Sequence, residues 1–399
     1  MASRAAPAGG PVEPAGATGR VDPSTRLTHW PAALPHVTVV IPAWNMSRYI
    51  ERSIASALAQ TWPALDVLVV DDGSTDDTRA IAEAVAARDP RVSVHSFANG
   101  GVARARNRGT EAARGPWVAF LDADDLWHPT KIEKQMAALQ AHPPEEGWVG
   151  CYALFRMVDE HDQVLASGYG AGKRGSFFYD HLLVNHVGNG SSLLVLREAA
   201  LAVDGFDPSY AEAGIGGSED FDFQLRLLMR YKLEYVPEYL VGYRLHSAQM
   251  SADQTRMALG HIAVVERFVH AAQLDGRQAQ FALVAANRNA VAAFARSGDW
   301  GNVRRAARKL WGDDRSAALL FAADRLSFAT RRGLARLGHR WGSHARLSSR
   351  TWAFADCDPL PGILPDGRQA RPGSPLYPAP LDNPQGPLAE DEVEEATEE

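Results

Sequence analysis

The sequence predicts an α/β protein built on a doubly wound, mostly parallel sheet. A smaller all-α region follows the sheet, and both termini read as disordered. Three observations carry this reading. Between residues 37 and 122, short apolar runs alternate with helical patterns, the spacing of βαβ units. Each run ends in polar or acidic residues, which such a sheet gathers at the carboxyl ends of its strands. Finally, no proline occurs between Pro237 and Pro359, where Ala and Arg become abundant and helices are expected.

The elements follow in order. "HVTVVIP" holds a β-branched apolar run suited to a strand buried on both faces, closed by Pro42. Residues 47–59 place Ile50, Ile54 and Leu58 at helical spacing. "LDVLVVDD" is a second strand, 76–87 a helix, "RVSVHS" a third strand, 102–113 a helix, and "WVAFLD" a fourth strand. A helix is expected over 129–140. "GWVGCYALFRMV" reads as a strand, "GNGSSLLVL" as a loop into a strand, 219–231 as a helix, and "LEYVPEYLVGYRL" as a last strand. Residues 256–340 read as amphipathic helices broken near Gly298–Gly301 and Gly312. The resulting division is a disordered segment 1–35, a main domain 36–250, a helical subdomain 251–345 and a Pro-rich acidic tail 346–399.

Composition narrows the class. The 399 residues are 46% hydrophobic and 22% charged, which is ordinary globular material. The net charge is -7, but the residues from Thr351 onward contribute about -9, leaving a nearly neutral body. Such a body offers no general attraction to nucleic acid. Two cysteines, Cys151 and Cys357, make neither a disulfide framework nor a zinc site. No apolar run has the length of a signal peptide or membrane span. The expectation is a cytoplasmic protein.

The stretch "WVAFLDADDLWHP" is the chemical core of the sequence. If the strand continues through them, Asp122 and Asp124 point the same way. Crowded carboxylates raise one another's pKa unless a cation neutralises them. Oxygen ligands suit Mg²⁺ or Mn²⁺, and such sites complete their shell with substrate phosphates. Alone, the triplet is as readily a turn that caps the next helix. Set behind a buried strand, on the same rim as "VVDDGSTDD", it reads as a site for a metal that holds a diphosphate.

"VTVVIPAWN", "ERSIASALAQTW", "VLVVDDGSTDDT" and "ANGGVARARNRGTEAARGPWVAFLDADD" occur in this order. Together they resemble the nucleotide-sugar-binding half of the family 2 glycosyltransferases, over roughly residues 36–250. The resemblance implies the Rossmann-like GT-A fold. It also implies an inverting, metal-dependent transfer of one sugar from a nucleoside-diphosphate sugar, a UDP-sugar in the first instance. The recipient would be a glycan, lipid-linked or protein acceptor, with no nucleic acid partner.

Residue by residue, the resemblance makes Pro42, Trp44 and Asp72 nucleotide-binding. Trp44 would stack on the base, or else pack as a rim aromatic. Asp72 would accept a hydrogen bond from the base, while Asp71 closes the turn and Asn45 caps the first helix. Arg104 or Arg106 would reach the ribose or diphosphate, or else cover a solvated helix face, and Asn107 would tie that loop down. Asp124 resembles the principal metal ligand, Asp122 a ribose-side supporter, and Asp125 a cap. "VGNGSSLLVLREAALAVDGFDPSY" would line the donor sugar. In "GGSEDFDFQLRLL", Ser218 would cap a helix and Asp220 would be the general base, with Glu219 beside it. The helix dipole would keep Asp220 ionised. His246 matches a histidine used near the metal or diphosphate.

Two other readings have discriminating features. A Rossmann dehydrogenase needs GxGxxG after its first strand, and "IPAWNMSRY" lacks it. A catalytically silent sugar-nucleotide binder or scaffold would lack an intact Asp72, Asp124 and Asp220 set. The absence of QxxRW after the Glu-Asp pair argues against a processive synthase. From Val303 to Arg350, twelve Lys/Arg stand against three Asp. That surface suits either solvation or a peripheral contact with an anionic membrane face.

Overall fold

The computed structural model describes residues 34–142, 146–168, 172–247 and 249–313. The expectations for 1–33, for the helical region beyond 313, for Cys357 and for the acidic tail lie outside the described residues.

The first strand, β1 (Val37–Ala43), is buried along its whole length. It pairs in parallel with β2 (Leu65–Asp71) on one side and with β4 (Trp117–Phe120) on the other. β3 (Val92–Ser96) adds in parallel beyond β2. Past β4 come β8 (Leu194–Leu196), β6 (Trp148–Val158), β9 (Lys232–Arg244) and the short β5 (Leu126–Trp127), with β7 (Val164–Ser167) paired to β6. β8 runs antiparallel to both β4 and β6, and β9 runs parallel to β6. The order 3-2-1-4-8-6-9-5 reverses direction between β1 and β4. A doubly wound sheet opens its ligand crevice at such a switch.

The strand pattern explains the two cores. Val37, Val39 and Ile41 face α1 (Ile50–Leu58), whose Ile50, Ile54 and Ala57 pack against them. Val40 faces the opposite layer. That layer holds α3 (Val102–Ala112), α6 (Arg197–Ala202) and α8 (Glu219–Leu228), which supply Ala103, Ala199 and Phe223. α2 (Thr78–Ala86) and α4 (Lys131–Gln140) cover the α1 face through Ala82, Ile132 and Met136. Period-2 alternation thus gives each face of a fully buried strand its own helical layer.

Several expectations need correction. Pro42 does not close β1; it sits opposite Val70, one residue before the strand's end. There β1 has already lost β4, which pairs only as far as Val40. The ladder there is open on one side, so the missing N–H is tolerated. α1 begins at Ile50 rather than 47. β4 stops at Phe120, and Asp122 to Asp125 form a turn closed by the Asp125 N–H donating to the Asp122 carbonyl at 3.0 Å. The strands β5 and β7 were not foreseen, nor were α5 (Phe178–Leu183), α6 and α7 (Ser209–Glu212). They are too short to show a period.

After β9 come α9 (Gln254–Ala271), α10 (Gly276–Ser297) and α11 (Trp300–Asp313). Val264 and Phe268 of α9 and Ala282 of α10 join Leu182 of α5 and Phe221 of α8 in one cluster. Gly298 ends α10 in the left-handed region (φ 75°), as a helix terminator does. Gly312 breaks nothing: it lies inside α11. Among the described residues no helix is long and apolar enough to cross a membrane.

Gly109 of α3 lies directly on Val40. A Cβ there would come within 2.2 Å of the Val40 side chain. Gly109→Ala is expected to cost about 1–3 kcal/mol by overpacking, measured by denaturant unfolding, and Val40→Ala in the same chain should recover part of it.

Candidate active site

A cleft of about 670 Å³ opens at the carboxyl ends of β1, β2 and β4. One wall carries Pro42, Trp44, Asp72, Gly101 and Arg106; the turn after β4 adds Asp122 and Asp124. The start of α8 adds Glu219 and Asp220, and residues 249–261 close the cleft from the helical side. Trp44 is 52% exposed on the rim, so its face is free to stack.

Three loops are tied together behind this wall. Asp72 is buried and accepts the backbone N–H groups of Gly100 (2.9 Å) and Gly101 (2.7 Å). Arg108 approaches it at 3.5 Å. Burial raises the Asp72 pKa, and those N–H groups and Arg108 oppose the rise. Asp71 accepts the Ser74 N–H at 3.1 Å and so closes its turn, as read from the sequence. Asn45 does not cap α1. It sits at φ 53° and accepts the Thr75 N–H at 2.8 Å, tying the β1–α1 turn to the loop after β2. Asn107 exchanges two 2.7 Å hydrogen bonds with the backbone of Phe206, pinning α3 to the "DGFD" loop.

The aspartate cluster is not free of basic neighbours; they come from distant parts of the chain. Arg106, 4% exposed, donates to Asp122 at 2.6 Å and to Glu219 at 3.4 Å. Its guanidinium also lies over the Phe206 ring. Burial would lower the Arg106 pKa, but Asp122, Glu219 and Asp220 together raise it above its ordinary value. Arg104 points elsewhere. It is exposed, pairs with Glu212 at 2.5 Å and stands outside the cleft wall.

Asp125 is not a helix cap. It is almost fully buried, bonded to the Ser191 hydroxyl (2.6 Å) and the Arg244 N–H (2.9 Å). Burial, then Asp124 and Asp122, push its pKa well up. Arg244 was missed in the sequence. Its buried side chain donates to the Asp124 carbonyl and to the Asp159 carbonyl, each at 2.6 Å. An arginine closing an otherwise apolar buried strand was the available signal.

Asp124 faces the cleft, and His246 Nε2 stands 2.9 Å from its Oδ2. His246 also lines an adjoining hollow of about 200 Å³ beside Tyr49. Among the described residues no cage of three or more His, Cys, Asp or Glu side chains is assembled. One carboxylate with one imidazole nonetheless fits a divalent ion that takes the rest of its shell from phosphate and water.

Ser218 precedes α8 but makes no side-chain capping bond. Asp220 is not held ionised. Its Oδ1 accepts the N–H of the next residue, Phe221, at 2.7 Å. Burial first, then Glu219, push its pKa up to about 7, overcoming Arg106.

A cleft at the switch of a sheet of this order, rimmed by these carboxylates, defines a GT-A-type sugar-nucleotide domain. Residues 38–181 match the Glycosyl transferase family 2. The chain is 29% identical over 218 residues to chondroitin synthase of Pasteurella multocida, 55% of this chain and 21% of that one. It is 42% identical over 111 residues to the putative teichuronic acid biosynthesis glycosyltransferase TuaG of Bacillus subtilis, 28% of this chain and 43% of that one. The chain therefore spans less than half the length of these relatives. In fold it is similar to residues 1–349 of S. aureus TarS in complex with UDP-GlcNAc, with a TM-score of 0.50 at 15% identity. That match covers 68% of this chain and 90% of the other. The chain belongs to the family 2 glycosyltransferases.

Removing Arg106 leaves Asp122 and Glu219 facing each other without a cation. Arg106→Leu is expected to destabilise by about 3–5 kcal/mol, read by denaturant unfolding. Arg106→Lys should recover only part, because one ammonium cannot reproduce the two-armed contact.

Proposed function

We propose that this chain is a metal-dependent, inverting glycosyltransferase. It moves one sugar from a nucleoside-diphosphate sugar, with UDP as the favoured nucleotide, to a hydroxyl of a glycan, lipid-linked or protein acceptor. Polysaccharide biosynthesis is the setting that the names of its relatives suggest. One observation carries the reading: Asp72, Asp124 and Asp220, read from distant segments, line the same cleft at the sheet's switch point.

In this reading residues 36–250 form the catalytic domain and 251–345 a helical subdomain. Trp44 and Pro42 receive the base, and Asp72 holds Gly100 and Gly101 against it. Asp124 and His246 would hold Mg²⁺ or Mn²⁺, which when bound offsets charge on the departing diphosphate. Asp122 and Glu219 are oriented by Arg106. Asp220 takes the proton of the attacking hydroxyl. A single displacement needs no enzyme nucleophile, so configuration at the anomeric carbon inverts.

The raised pKa of Asp220 sets the pH dependence. Its useful form is the carboxylate, which gains population as pH rises through about 7. kcat/KM should climb roughly tenfold per pH unit below that value and level off above it. A flat profile from pH 5.5 to 8 would remove Asp220 as the base.

Asp220→Asn is expected to lower turnover of a UDP-sugar by at least 10²-fold, the lower range for general base loss, while UDP affinity in calorimetry stays within threefold of the parent. If no nucleotide sugar binds the parent chain in the presence of Mn²⁺, the transferase reading is wrong, and the silent-scaffold alternative loses its ligand as well.

A further inference from the structure

The helical wall of the cleft carries a cation that the chemistry above does not use. Arg256 stands in the first turn of α9 and lines the cleft together with Gln249, Met250 and Met257. Its Nε is buried and has no hydrogen-bond partner. Among the described residues its guanidinium forms no ion pair within 4.0 Å, whereas Arg106, Arg108, Arg244 and Arg267 each pair with a carboxylate. Asp253 caps the helix through the Arg256 backbone N–H and leaves the side chain unpaired.

Two features show that this placement is not simply comfortable. A cation in the first turn opposes the helix dipole, and an orphaned buried donor costs about 1–3 kcal/mol. The loop before α8 also makes room for it. A Cβ at Gly216 would come within 2.7 Å of Arg256 Nη2, so the guanidinium lies flat against glycine backbone. Gly217, at φ 106°, lets the thioethers of Met250 and Met257 close over the same loop. This loop leads directly to Glu219 and Asp220.

We propose that Arg256 is a specificity residue that binds an anionic group, a carboxylate or a phosphate ester, on the sugar substrate presented beside Asp220. The idea rests on the transferase reading and deepens it. A planar guanidinium with free N–H groups matches either anion with paired hydrogen bonds. A neutral sugar would leave the cation unpaired. Two sources share this chemistry: the acceptor, or the sugar of the donor.

The test is calorimetric, on the full chain with Mn²⁺. Glucuronate and glucose 6-phosphate are titrated as probes into protein saturated with UDP, with methyl glucoside as the neutral control. At least one anionic probe should bind at least tenfold more tightly than methyl glucoside. Arg256→Gln should abolish that advantage, and Arg256→Lys should keep part of it. UDP affinity should stay within threefold in both variants. A second arm compares UDP-glucuronate with UDP-glucose. If the charged donor gains at least tenfold and Arg256→Gln removes the gain, the anion belongs to the donor; if the donors bind alike while a free probe binds over UDP, it belongs to the acceptor. Equal binding of charged and neutral probes in the parent, with no donor preference, overturns the proposal. So does a tenfold loss of UDP affinity in Arg256→Gln, which would make Arg256 a diphosphate contact. Failure of UDP itself to bind the parent would strike the transferase reading instead, and the free probes would still report on Arg256.

Discussion

One buried guanidinium organises the acidic side of this cleft. Arg106 sits on α3, Asp122 in the turn after β4, and Glu219 at the start of α8. These three pieces of chain have no other reason to keep a common geometry. A buried carboxylate without a partner is costly, and a buried pair is strongly disrupted when one partner goes. The ion triad therefore makes the positions of the β4 turn and of α8 depend on each other. Asp220 lies next to Glu219, so its place in the cleft follows from the same contact.

The other loops are coupled by hydrogen bonds between one element's side chain and another's backbone. Asp72 holds the loop before α3. Asn107 holds the loop after α6. Asp125 receives the N–H at the end of β9, and Arg244 returns a bond to the Asp124 carbonyl. Each clamp satisfies backbone groups that a strand end or a loop leaves open. The turn bearing Asp124 is thus braced on one side by α3 and on the other by β9, which also delivers His246 to it. The resulting wall has few degrees of freedom before any substrate arrives.

The triple aspartate was legible as a site but not as a structure. Its members share a sequence, and the fold gives them three different surroundings. Asp122 faces a cation, Asp124 faces the cleft and an imidazole, and Asp125 is sealed among neutral donors. Arg104 and Arg106 could not be told apart by type. They are two residues apart on a helix, about 200° around its axis, so only one can face inward. Asp220 at a helix start suggested an ionised acid, but burial beside Glu219 outweighs the helix terminus.

The periodicity of the chain alone determined the alternation of strand and helix, the fully buried first strand, and the gathering of acidic residues on one rim. Those properties are local: a strand's pattern reports which faces are covered, and a parallel sheet sends all its loop ends one way. Only the tertiary structure decided which charges are answered, and by what. Arg106, Arg244 and His246 reach their aspartates across 16, 120 and 122 residues, and no local pattern carries such pairings. The same holds for the absence of one. That Arg256 stands unpaired among the described residues could be seen only once every nearby carboxylate had found its partner.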